Sequence, residues 1–586
     1  MCGIVGAFGT NRSNEIVLNG LEILEYRGYD SCGINYLKDN EYKIIKSTDR
    51  INNLKEKVSE QSLISFGHTR WATHGKVSLD NCHPHISGNK KLTMVHNGVI
   101  ENYLEIKEEL GIELYSQTDT EIILNLIEYL YKQTNDMKEA LSLFIKKVHG
   151  SYACIISNID EPNNIYIIRN KTPLLIGKKD DYFTVSSDPV AVNESVKEFC
   201  SLEDKTFGII NLENKEVQLF DKDINTIEAN YEHIDLGSID LNNNADFDTY
   251  MEEEIYSQPK VLNNIIEHYK NNEISKDILD LVNNCSKIYI VASGTSYFAG
   301  LIGKYIFEEV VKKKTEVVIG SEFGYKNNLI DEDDMFIFLS QSGETADSIL
   351  VLDSLKNRTL ALTNTPGSTI DRECDYSLNL MAGPELAVAS TKAYTAQIAV
   401  MSLLANEIIG NKDIYKELEE VKEIQQLILD DKEKLKEIAK NYIDIQEIFY
   451  IGRLRDYDTC EEASLKIKEV SYKNVNAYPA GELKHGTISL IDTNKLSVGI
   501  ISSIEMNDKT RSNLEEIKTR DGKVLIFSTE CTKKSGDDYV IPYSKDSYLC
   551  SLLTVIPHQI LSLHISTALG LDVDKPRNLA KSVTVE

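Results

Sequence analysis

Beyond about residue 285, short apolar strands alternate with polar loops and helices, and this order constrains the fold more than any other feature. The segments KIYIVASGTSYFAGLIGKYIFEEVV and DMFIFLSQSGETADSILVLDSLK each give a strand, a small polar loop and a helix. Neighbouring parallel strands need a crossover connection between them, usually a helix. The order therefore predicts a parallel α/β sheet of the doubly wound type.

The same pattern returns about 160 residues later in the chain. EIFYIGR echoes KIYIVASG, KLSVGIIS echoes DMFIFLSQ, and KVLIFST echoes RTLALTN. Chance similarity is the alternative, because all buried parallel strands are rich in Val and Ile, but the shared order and spacing favour a duplication. We predict two tandem α/β subdomains with parallel sheets, at 251–425 and 426–586, joined by the charged helical stretch 412–440.

The first part of the chain has a different pattern of apolar runs and turns. Residues 1–230 contain short runs of Ile, Val, Tyr and Phe separated by turns, with two helical stretches between 101 and 148. This predicts a layered α+β domain. Residues 231–250 are polar and acidic, and we interpret them as a linker that leads into a helix capped near Thr249.

The length, composition and net charge of the chain narrow the class of protein. A chain of 586 residues with 42% hydrophobic content is expected to form several domains. Its 63 basic and 92 acidic residues give a net charge of -29, which disfavours nucleic acid and anionic membranes as partners. Ten scattered cysteines and no secretory signal predict a cytoplasmic protein with free thiols. The apolar stretches 393–409 and 549–571 contain polar residues, so we expect buried helices there.

Cys2 directly follows the initiator methionine. Once that methionine is removed, the cysteine carries a free α-amine with a pKa of roughly 7.7 to 8.0. The amine can then accept the proton of the adjacent thiol, so that one residue supplies both nucleophile and base. Taken alone, a cysteine at this place is more often an ordinary buried residue.

The motifs that follow Cys2 give it a context. In order they are CGIVGAFG, EYRGYDSCG, GHTRWATHG, HPH, HNGVIENY and SQTDTE. With them, residues 1–220 resemble the N-terminal-cysteine (class II) glutamine amidotransferases, which have the Ntn-hydrolase fold. The resemblance implies that Cys2 attacks the γ-amide of glutamine and that Asn97 and Gly98 receive the oxyanion. It also implies these roles: Arg70 for the α-carboxylate, Asp119 for the α-ammonium group, Thr73, His74 and Arg27 near the pocket, and Trp71 as an ammonia gate.

Structural alternatives stand beside these roles. The Asn-Gly pair in HNGVIENY is also a common hairpin turn. His83-Pro84-His85 could suggest a metal, but without further ligands at a recognisable spacing a loop made rigid by proline is the simpler interpretation. Trp71 could equally be a core aromatic residue.

Two loops of the first α/β repeat, ASGTS and SQSGETADS, combine hydroxyl groups and a glycine at the carboxyl ends of strands. Such loops can bind phosphate through O–H groups, N–H groups and the helix dipole, although serine and threonine are also ordinary N-caps. Together with VASTKAYT they resemble the SIS sugar-isomerase fold. The resemblance assigns the phosphate to Thr295, Ser296, Ser340, Gln341, Ser342 and Thr345, and the sugar to Val388 and Ser390.

The second repeat and the C-terminus supply further charged groups. By the same resemblance, His485 opens the sugar ring, Lys581 forms a Schiff base with the keto group, and Glu469 moves the proton, with support from Lys466. Without the resemblance, KIKE would be an exposed helix face and Lys581 a solvated charge. Thr487 stands where we would expect proline, so the loop after His485 departs from the pattern of the resembled family.

The two resemblances together predict one reaction. A glutaminase that frees ammonia, joined to a ketose-phosphate isomerase, implies transfer of nitrogen from L-glutamine to D-fructose 6-phosphate to give D-glucosamine 6-phosphate. The resemblance implies no cofactor and no metal, and a homodimer in which His485 enters the neighbouring subunit's site. The alternatives are a related amino-sugar or deglycating enzyme and a non-catalytic sugar-phosphate sensor, although a sensor would have no use for Cys2.

Overall fold

The computed structural model describes residues 2–72, 74–179, 181–233, 247–326 and 329–583. The chain divides into a first unit that includes residues 1–241 and a second unit of residues 242–581. The predicted linker at 231–250 is described only at its two ends, because 234–246 lie outside the described residues. The sequence-based boundaries at 230, 250 and 425 stay predictions.

The described part of the first unit contains two antiparallel sheets. Its strands are β1 (Gly3–Phe8), β2 (Ser31–Lys38), β3 (Glu41–Ser47), β4 (Ile64–Arg70), β5 (His85–Ile86), β6 (Leu92–Ile100), β7 (Gly150–Asn158), β8 (Asn164–Asn170), β9 (Leu175–Lys179), β10 (Tyr182–Ser186), β11 (Glu198–Ser201), β12 (Thr206–Asn211), β13 (Glu216–Asp221), β14 (Thr226–Ile227) and β15 (Glu232–His233). Its helices are α1 (Ser13–Ile23), α2 (Ile51–Lys55), α3 (Tyr103–Leu110), α4 (Asp119–Thr134) and α5 (Met137–Lys147). The spatial orders are β15-β11-β9-β10-β1-β4-β2-β3 and β14-β13-β12-β8-β7-β6-β5.

The side chains of β1 show how these sheets are layered. Ile4 and Phe8 belong to the core between the two sheets, whereas Val5 and Ala7 pack with residues of α1 on the other face. This is the alternation that a strand imposes when both of its faces are buried. The second sheet packs its outer face against α4 and α5. The result is a helix–sheet–sheet–helix sandwich, which confirms the α+β prediction.

The second unit contains two parallel sheets, ordered β17-β16-β18-β19-β20 and β22-β21-β23-β24-β25. Its strands are β16 (Lys287–Ala292), β17 (Lys314–Ile319), β18 (Met335–Ser340), β19 (Arg358–Thr363), β20 (Tyr376–Asn379), β21 (Glu447–Gly452), β22 (Asn474–Pro479), β23 (Leu496–Ile501), β24 (Lys523–Thr529) and β25 (Tyr539–Ile541). Its helices are α6 (Tyr250–Tyr256), α7 (Gln258–Asn271), α8 (Lys276–Asn284), α9 (Thr295–Ile306), α10 (Gly320–Phe323), α11 (Ala346–Ser354), α12 (Thr369–Glu373), α13 (Lys392–Ile408), α14 (Asp413–Asp430), α15 (Lys432–Ala439), α16 (Arg455–Ser471), α17 (Asn507–Lys518) and α18 (Ser551–Ala568).

The two parallel sheets of the second unit share one core. Ile288 and Ile290 of β16 lie in the same apolar cluster as Ile448 and Tyr450 of β21, together with residues of α13 and α18. The opposite face of each sheet forms a cluster of its own. Both sheets have the same strand order and direction, so the predicted duplication is confirmed and chance similarity of strands does not explain it.

Two local predictions are confirmed and one is wrong. The side chain of Thr249 accepts a hydrogen bond of 3.2 Å from the Glu252 N–H and caps α6. The charged stretch 412–440 forms α14 and α15. Between 101 and 148 there are three helices, not two. Asn135 takes a left-handed conformation that ends α4, and Asp136 then caps α5.

One described helical segment, Tyr548–Ala568, is long and apolar enough to cross a membrane. However, 94% of its apolar window is buried inside the structure, so it packs as a core helix. Pro557 lies within it, at a place where the helix is enclosed by other elements of the second unit.

Candidate active sites

Cys2 lies directly before β1, whose antiparallel register with β4 brings it to the end of β4. Gly3 pairs with Thr69, and the Sγ of Cys2 lies 3.3 Å from the backbone nitrogen of Trp71 and 3.5 Å from its carbonyl oxygen. Burial raises the pKa of the Cys2 thiol. A thiol that stays protonated needs a base when it attacks.

Asn97 and Gly98 lie within strand β6 and are neighbours of Cys2. Because the pair is part of a strand, the hairpin-turn alternative for it is wrong. The Nδ2 of Asn97 donates to the carbonyl oxygen of Cys2 over 3.1 Å. An amide nitrogen has two protons, and one remains for a ligand. Gly98 has φ +133, and a Cβ there would lie 2.0 Å from the Ser151 carbonyl oxygen. Only glycine fits at this position.

Arg70 and Asp119 bring opposite charges to a small cavity that Cys2 also lines. They are only 3% and 4% exposed. The Arg70 Nη2 donates to the His74 and Gly75 carbonyls, whereas its Nη1 is buried without a hydrogen-bond partner among the described residues. Asp119 accepts from the Ile100 N–H over 3.0 Å. A buried cation with an unused donor beside a buried carboxylate suits a zwitterionic ligand.

Histidines hold the backbone just before Asn97. The His96 N–H donates to Nδ1 of His83 over 3.3 Å, and the His96 carbonyl accepts from Nε2 of His68 over 3.0 Å. The Thr120 hydroxyl lies 3.3 Å from His83 Nε2 and 2.9 Å from His96 Nδ1, which closes a ring of hydrogen bonds. Burial lowers the pKa of His68 to about 3 and that of His83 well below its usual value. These rings therefore act as neutral hydrogen-bonding groups.

His85 extends the same network. Its Nδ1 lies 2.8 Å from the Tyr115 hydroxyl, and its Nε2 lies 3.2 Å from Oγ1 of Thr118. Both ring nitrogens of His83 and of His85 thus face polar groups of the protein. This supports the interpretation of the His-Pro-His segment as a structural loop.

The remaining predicted residues of the first unit fall into three groups. His74 and Trp71 line the same cavity, and the half-buried Trp71 ring packs edge-on against Tyr29 with centroids 6.0 Å apart. Arg27 is not among the lining residues and forms a buried ion pair with Asp188. Thr73 lies outside the described residues.

In the second unit, the two hydroxyl-rich loops follow the adjacent parallel strands β16 and β18. Thr295 begins α9, and Ser296 accepts from Nε2 of Gln397 over 2.8 Å. Ser340 accepts from the Gly343 N–H over 3.0 Å. Further along the second loop, Ser342 accepts from the Glu344 N–H, Gln341 accepts from the Asn364 N–H, and Thr345 lies at the N-cap of α11. The predicted phosphate residues thus meet at one edge of the sheet.

Lys466 connects the second repeat to this edge. Its Nζ donates to Oγ1 of Thr295 over 2.8 Å and lies 2.7 Å from Oε2 of Glu469 and 3.5 Å from Oε1 of Glu462. Its side chain is 1% exposed, so the exposed-face alternative is wrong for Lys466, although Lys468 is exposed. Burial raises the pKa of Glu462 to about 8. Glu462 can therefore carry a proton at neutral pH.

Lys581 is buried as well, and the solvated-charge alternative is wrong for it. Its side chain is 2% exposed, and its Nζ lies 2.5 Å from Oε2 of Glu385 and 3.2 Å from Oγ of Ser390. Glu385 also accepts from the N–H groups of Thr391 and Ala393. Burial opposes the ionisation of Glu385, but Lys581 and these donors outweigh it and lower its pKa to about 2.

The loop around Glu385 contains two further polar features. Val388 is buried, and its N–H donates to the Asp574 carbonyl over 2.9 Å. Glu254 accepts from the Leu386 and Ala387 N–H groups. Burial and the neighbouring Glu385 raise the pKa of Glu254 to about 8. The loop that contains Ser390 is thus fixed by two buried carboxyl groups.

His485 lies in an exposed turn of the second repeat. It ends the short 3-10 turn Glu482–His485 and is exposed, as are Lys484 and Gly486. Thr487 begins a second 3-10 turn, where proline was expected. Within the described part of this chain, no hydrogen bond links His485 to Lys466, Glu469 or Lys581. The described hydrogen bonds of a single chain therefore do not join His485 to the other predicted catalytic groups.

Comparison with known proteins identifies both halves. A family described as "Glutamine amidotransferase domain" matches residues 68–194, and the SIS domain family matches residues 281–407 and 441–538. The chain is 41% identical over 607 residues to a protein of Staphylococcus aureus named glutamine–fructose-6-phosphate aminotransferase (isomerizing), with all of both chains covered. A relative of the same name in Shouchella clausii is 41% identical over 604 residues, also with full coverage. The chain belongs to this aminotransferase family.

Solved structures agree with the assignment of the second unit. The C-terminal domain of glucosamine-fructose-6-phosphate aminotransferase from Francisella tularensis matches with a TM-score of 0.53 and 35% identity, over 56% of this chain and 99% of that one. Tagatose-6-phosphate ketose/aldose isomerase from Escherichia coli matches with a TM-score of 0.50 and 19% identity, over 56% and 96%, which shows the fold alone. The predicted amidotransferase domain followed by two SIS subdomains is confirmed for this member of the aminotransferase family.

The sequence interpretation missed three buried carboxyl groups of the aminotransferase: Glu254, Glu385 and Glu462. Glu462 had a readable signal, because it precedes Lys466 by four residues and Glu469 by seven, so the three share one helix face. Glu385 and Glu254 had none. Glu385 lies 196 positions before Lys581, and only the tertiary fold joins them.

Proposed function

We propose that the chain transfers the amide nitrogen of L-glutamine to D-fructose 6-phosphate and isomerises the product to D-glucosamine 6-phosphate, with release of L-glutamate. One observation carries the proposal: a single chain holds a buried Arg70 and Asp119 beside Cys2, and two buried lysines at the loops of a sugar-phosphate fold. Full-length similarity to the protein named glutamine–fructose-6-phosphate aminotransferase (isomerizing) supports the proposal. The proposed chemistry uses groups of the protein chain, the two substrates and water.

In the first step the Sγ of Cys2 attacks the γ-carbonyl carbon of glutamine. We assign the base to the α-amine of Cys2, freed by removal of Met1, because its usual pKa suits proton transfer near neutral pH. The remaining proton of the Asn97 amide and the N–H of Gly98 stabilise the oxyanion. Ammonia leaves with the proton that the amine returns, and water hydrolyses the thioester to glutamate.

Free glutamine is recognised by both of its charges. The unused Nη1 of Arg70 binds the α-carboxylate, and Asp119 binds the α-ammonium group. His74 and Thr73 complete the glutamine site, and Trp71 gates ammonia. A glutamine within a peptide has neither charge to offer, so the proposal predicts selectivity for the free amino acid.

In the second unit, Thr295, Ser296 and the loop 340–345 bind the phosphate group. His485 opens the sugar ring, and Val388 and Ser390 line the open chain. Lys581 must leave Glu385 and lose a proton before its amine can attack the C2 keto group. Water then leaves, and a Schiff base joins C2 to Nζ.

Ammonia attacks the Schiff-base carbon, and the Lys581 amine leaves, so that nitrogen from glutamine remains on C2. Glu469 removes a proton from C1 of the protonated imine to form an enolamine and returns it to C2, while the C1 hydroxyl releases its proton to water, which converts C1 to an aldehyde. Lys466 lies 2.7 Å from Glu469 and holds the carboxylate in place. Glutamate and glucosamine 6-phosphate are thus formed in equal amounts.

We also propose a homodimer that works in the cytoplasm without a nucleic-acid or membrane partner. The exposure of His485 and the net charge of -29 support this. Mixing inactive His485→Ala chains with inactive Lys581→Ala chains tests the dimer, because a mixed dimer has one complete sugar site. Activity should return on mixing, and a mixture of associated chains that stays inactive contradicts a site shared between subunits.

Product analysis tests the overall reaction. Purified protein is supplied with glutamine and fructose 6-phosphate, and glutamate and amino sugar are quantified together. We expect equal amounts of the two products and no amino sugar without fructose 6-phosphate. Release of ammonia with fructose 6-phosphate left unaminated would instead favour a glutaminase that serves another reaction.

A further inference from the structure

The two repeats of the second unit match residue by residue at the loop after their first strand. In each repeat a six-residue strand, Lys287–Ala292 or Glu447–Gly452, is followed by two residues and then a helix. The residue before each helix has almost the same backbone conformation: φ 57 and ψ -132 at Gly294, φ 53 and ψ -134 at Leu454. Positions therefore correspond with an offset of 160 residues, and Asp456 stands where the first repeat has Ser296.

The second loop corresponds in the same way. Met335–Ser340 and Leu496–Ile501 are both six residues long and pair in parallel with the first strand of their own repeat. The residues directly after them, Gln341 and Ser342 in the first repeat, correspond to Ser502 and Ser503 in the second. The phosphate loop of the proposed sugar site thus has a counterpart in the second repeat.

The carboxylate of Asp456 lies at the loop of the second repeat that corresponds to the phosphate loop. Its Oδ2 accepts from the N–H groups of Ser502 and Ser503 over 2.9 and 3.3 Å, and its Oδ1 accepts from the Ser502 hydroxyl. Asp456 is 2% exposed. Two successive loop N–H groups and a hydroxyl that converge on one anion are the donors that such loops offer to a phosphate.

The first repeat has no carboxylate at this place. Ser296 is short and neutral, and its hydroxyl accepts from Gln397 over 2.8 Å. Burial alone disfavours the charged form of Asp456 and raises its pKa. A carboxylate buried at such a cost needs the three donors that surround it.

We infer that the second repeat retains an anion site of the same construction as the phosphate site of the first, and that the Asp456 carboxylate occupies it in place of a phosphate ester. The pair of repeats therefore binds one phosphate ester, not two. The inference rests on the proposed phosphate role of the loop 340–345. An ordinary structural carboxylate is the alternative, and it predicts no affinity for phosphate when Asp456 is shortened.

The test is the number of inorganic phosphate ions bound per full-length chain, measured by equilibrium dialysis. Asp456→Ser installs the residue that the first repeat has at this place, and Asp456→Asn is the matched control that keeps the side chain's size and one acceptor oxygen. We expect one phosphate per chain for the unmodified protein and for Asp456→Asn, and two for Asp456→Ser. One phosphate in all three proteins would overturn the inference.

The same measurement separates this inference from the proposed function. No phosphate on the unmodified chain contradicts the proposed role of loop 340–345, whereas an additional ion on Asp456→Ser alone still supports the anion site. Should Asp456→Ser be recovered poorly, it is expressed and purified in phosphate buffer and in a buffer without phosphate. Recovery that depends on phosphate supports the inference, and equal loss in both buffers contradicts it.

Discussion

The two proposed sites differ in how they use charge. Around Cys2, burial keeps His68 and His83 neutral, and Arg70 and Asp119 bring opposite charges to the cavity. Around the phosphate loops of the second unit, Lys466 and Lys581 are both buried against carboxylates. The first site is built mainly from fixed dipoles, and the second from groups that can exchange protons.

The difference follows from the two reactions. Attack on an amide creates an oxyanion, which preorganised N–H donors stabilise without moving. Schiff-base formation and proton transfer between C1 and C2 need groups that gain and lose protons near neutral pH. Ammonia is mostly protonated in bulk water, which gives a physical reason to combine both sites in one chain.

Cys2→Ala should separate the two sites most sharply. Removal of the nucleophile proposed for glutamine hydrolysis should lower that activity by roughly 10⁴-fold or more. Synthesis driven by added ammonia should persist, because no residue of the second unit changes. Glutamate release and ammonia-driven product formation are measured side by side. Cys531→Ala is the control, since Cys531 is also partly exposed, and loss of both activities in Cys2→Ala would contradict separable sites.

Lys581→Ala should produce the converse separation. Without the amine no Schiff base forms, and amino-sugar synthesis from either nitrogen source should fall by about 10³-fold or more. Glutamine hydrolysis should remain detectable. Trapping with borohydride should label the unmodified chain with sugar and leave the variant unlabelled. Lys545→Ala serves as control, because its side chain is 44% exposed, and retained synthesis in Lys581→Ala would remove the Schiff-base role.

His83→Gln tests whether fixed dipoles set the geometry of the first site. The variant weakens the bonds that hold His96 and, through it, Asn97. A small displacement of the oxyanion donors should lower kcat for glutamine hydrolysis by about 10- to 100-fold and leave KM nearly unchanged. Trp71 is the only tryptophan, so its fluorescence reports folding of this unit. Exposed His149→Gln is the control, and an unchanged kcat in His83→Gln would show that the ring of hydrogen bonds is dispensable.

Glu462→Gln should have the smallest effect of the four variants on activity at neutral pH. It tests whether a carboxyl group of the second site gains and loses a proton. The pKa of Glu462, about 8, lies above its usual value, so the residue is protonated at pH 7 and glutamine resembles it. As pH rises through about 8, the native carboxyl group ionises beside Glu469 and sugar activity should fall, whereas the variant should lack this step. Ammonia-driven rates from pH 6.5 to 9.5 check it. Identical pH profiles would contradict a proton-bearing Glu462.

Much of the fold was readable from the sequence because its signals are local. Strand–loop–helix order predicted the parallel sheets, and the polar segment that leads into a helix near Thr249 predicted the cap of α6. The resemblance to known families placed Cys2, Arg70 and Asp119 in one pocket, and the structure brings them together.

The other features of the fold and of the candidate sites depend on contacts that no local sequence pattern encodes. The burial of Lys466 and Lys581 comes from packing between segments far apart in sequence, so without the family resemblance the sequence indicates an exposed charge for each. The Asn97–Gly98 pair resembled a hairpin turn, but β7 pairs along all of β6 and keeps it in a strand. His83 and His85 acquire their role only when β6 and α4 fold beside them.

The most direct test of the central claim is the origin of the product nitrogen under competition. Glutamine with an isotopically labelled amide is supplied with fructose 6-phosphate and an excess of unlabelled ammonium, and the label at C2 of the amino sugar is measured. If the second unit uses nitrogen that is freed at Cys2 of the same protein, most of the product should carry the label. Dilution of the label in proportion to the ammonium in solution would contradict the claim.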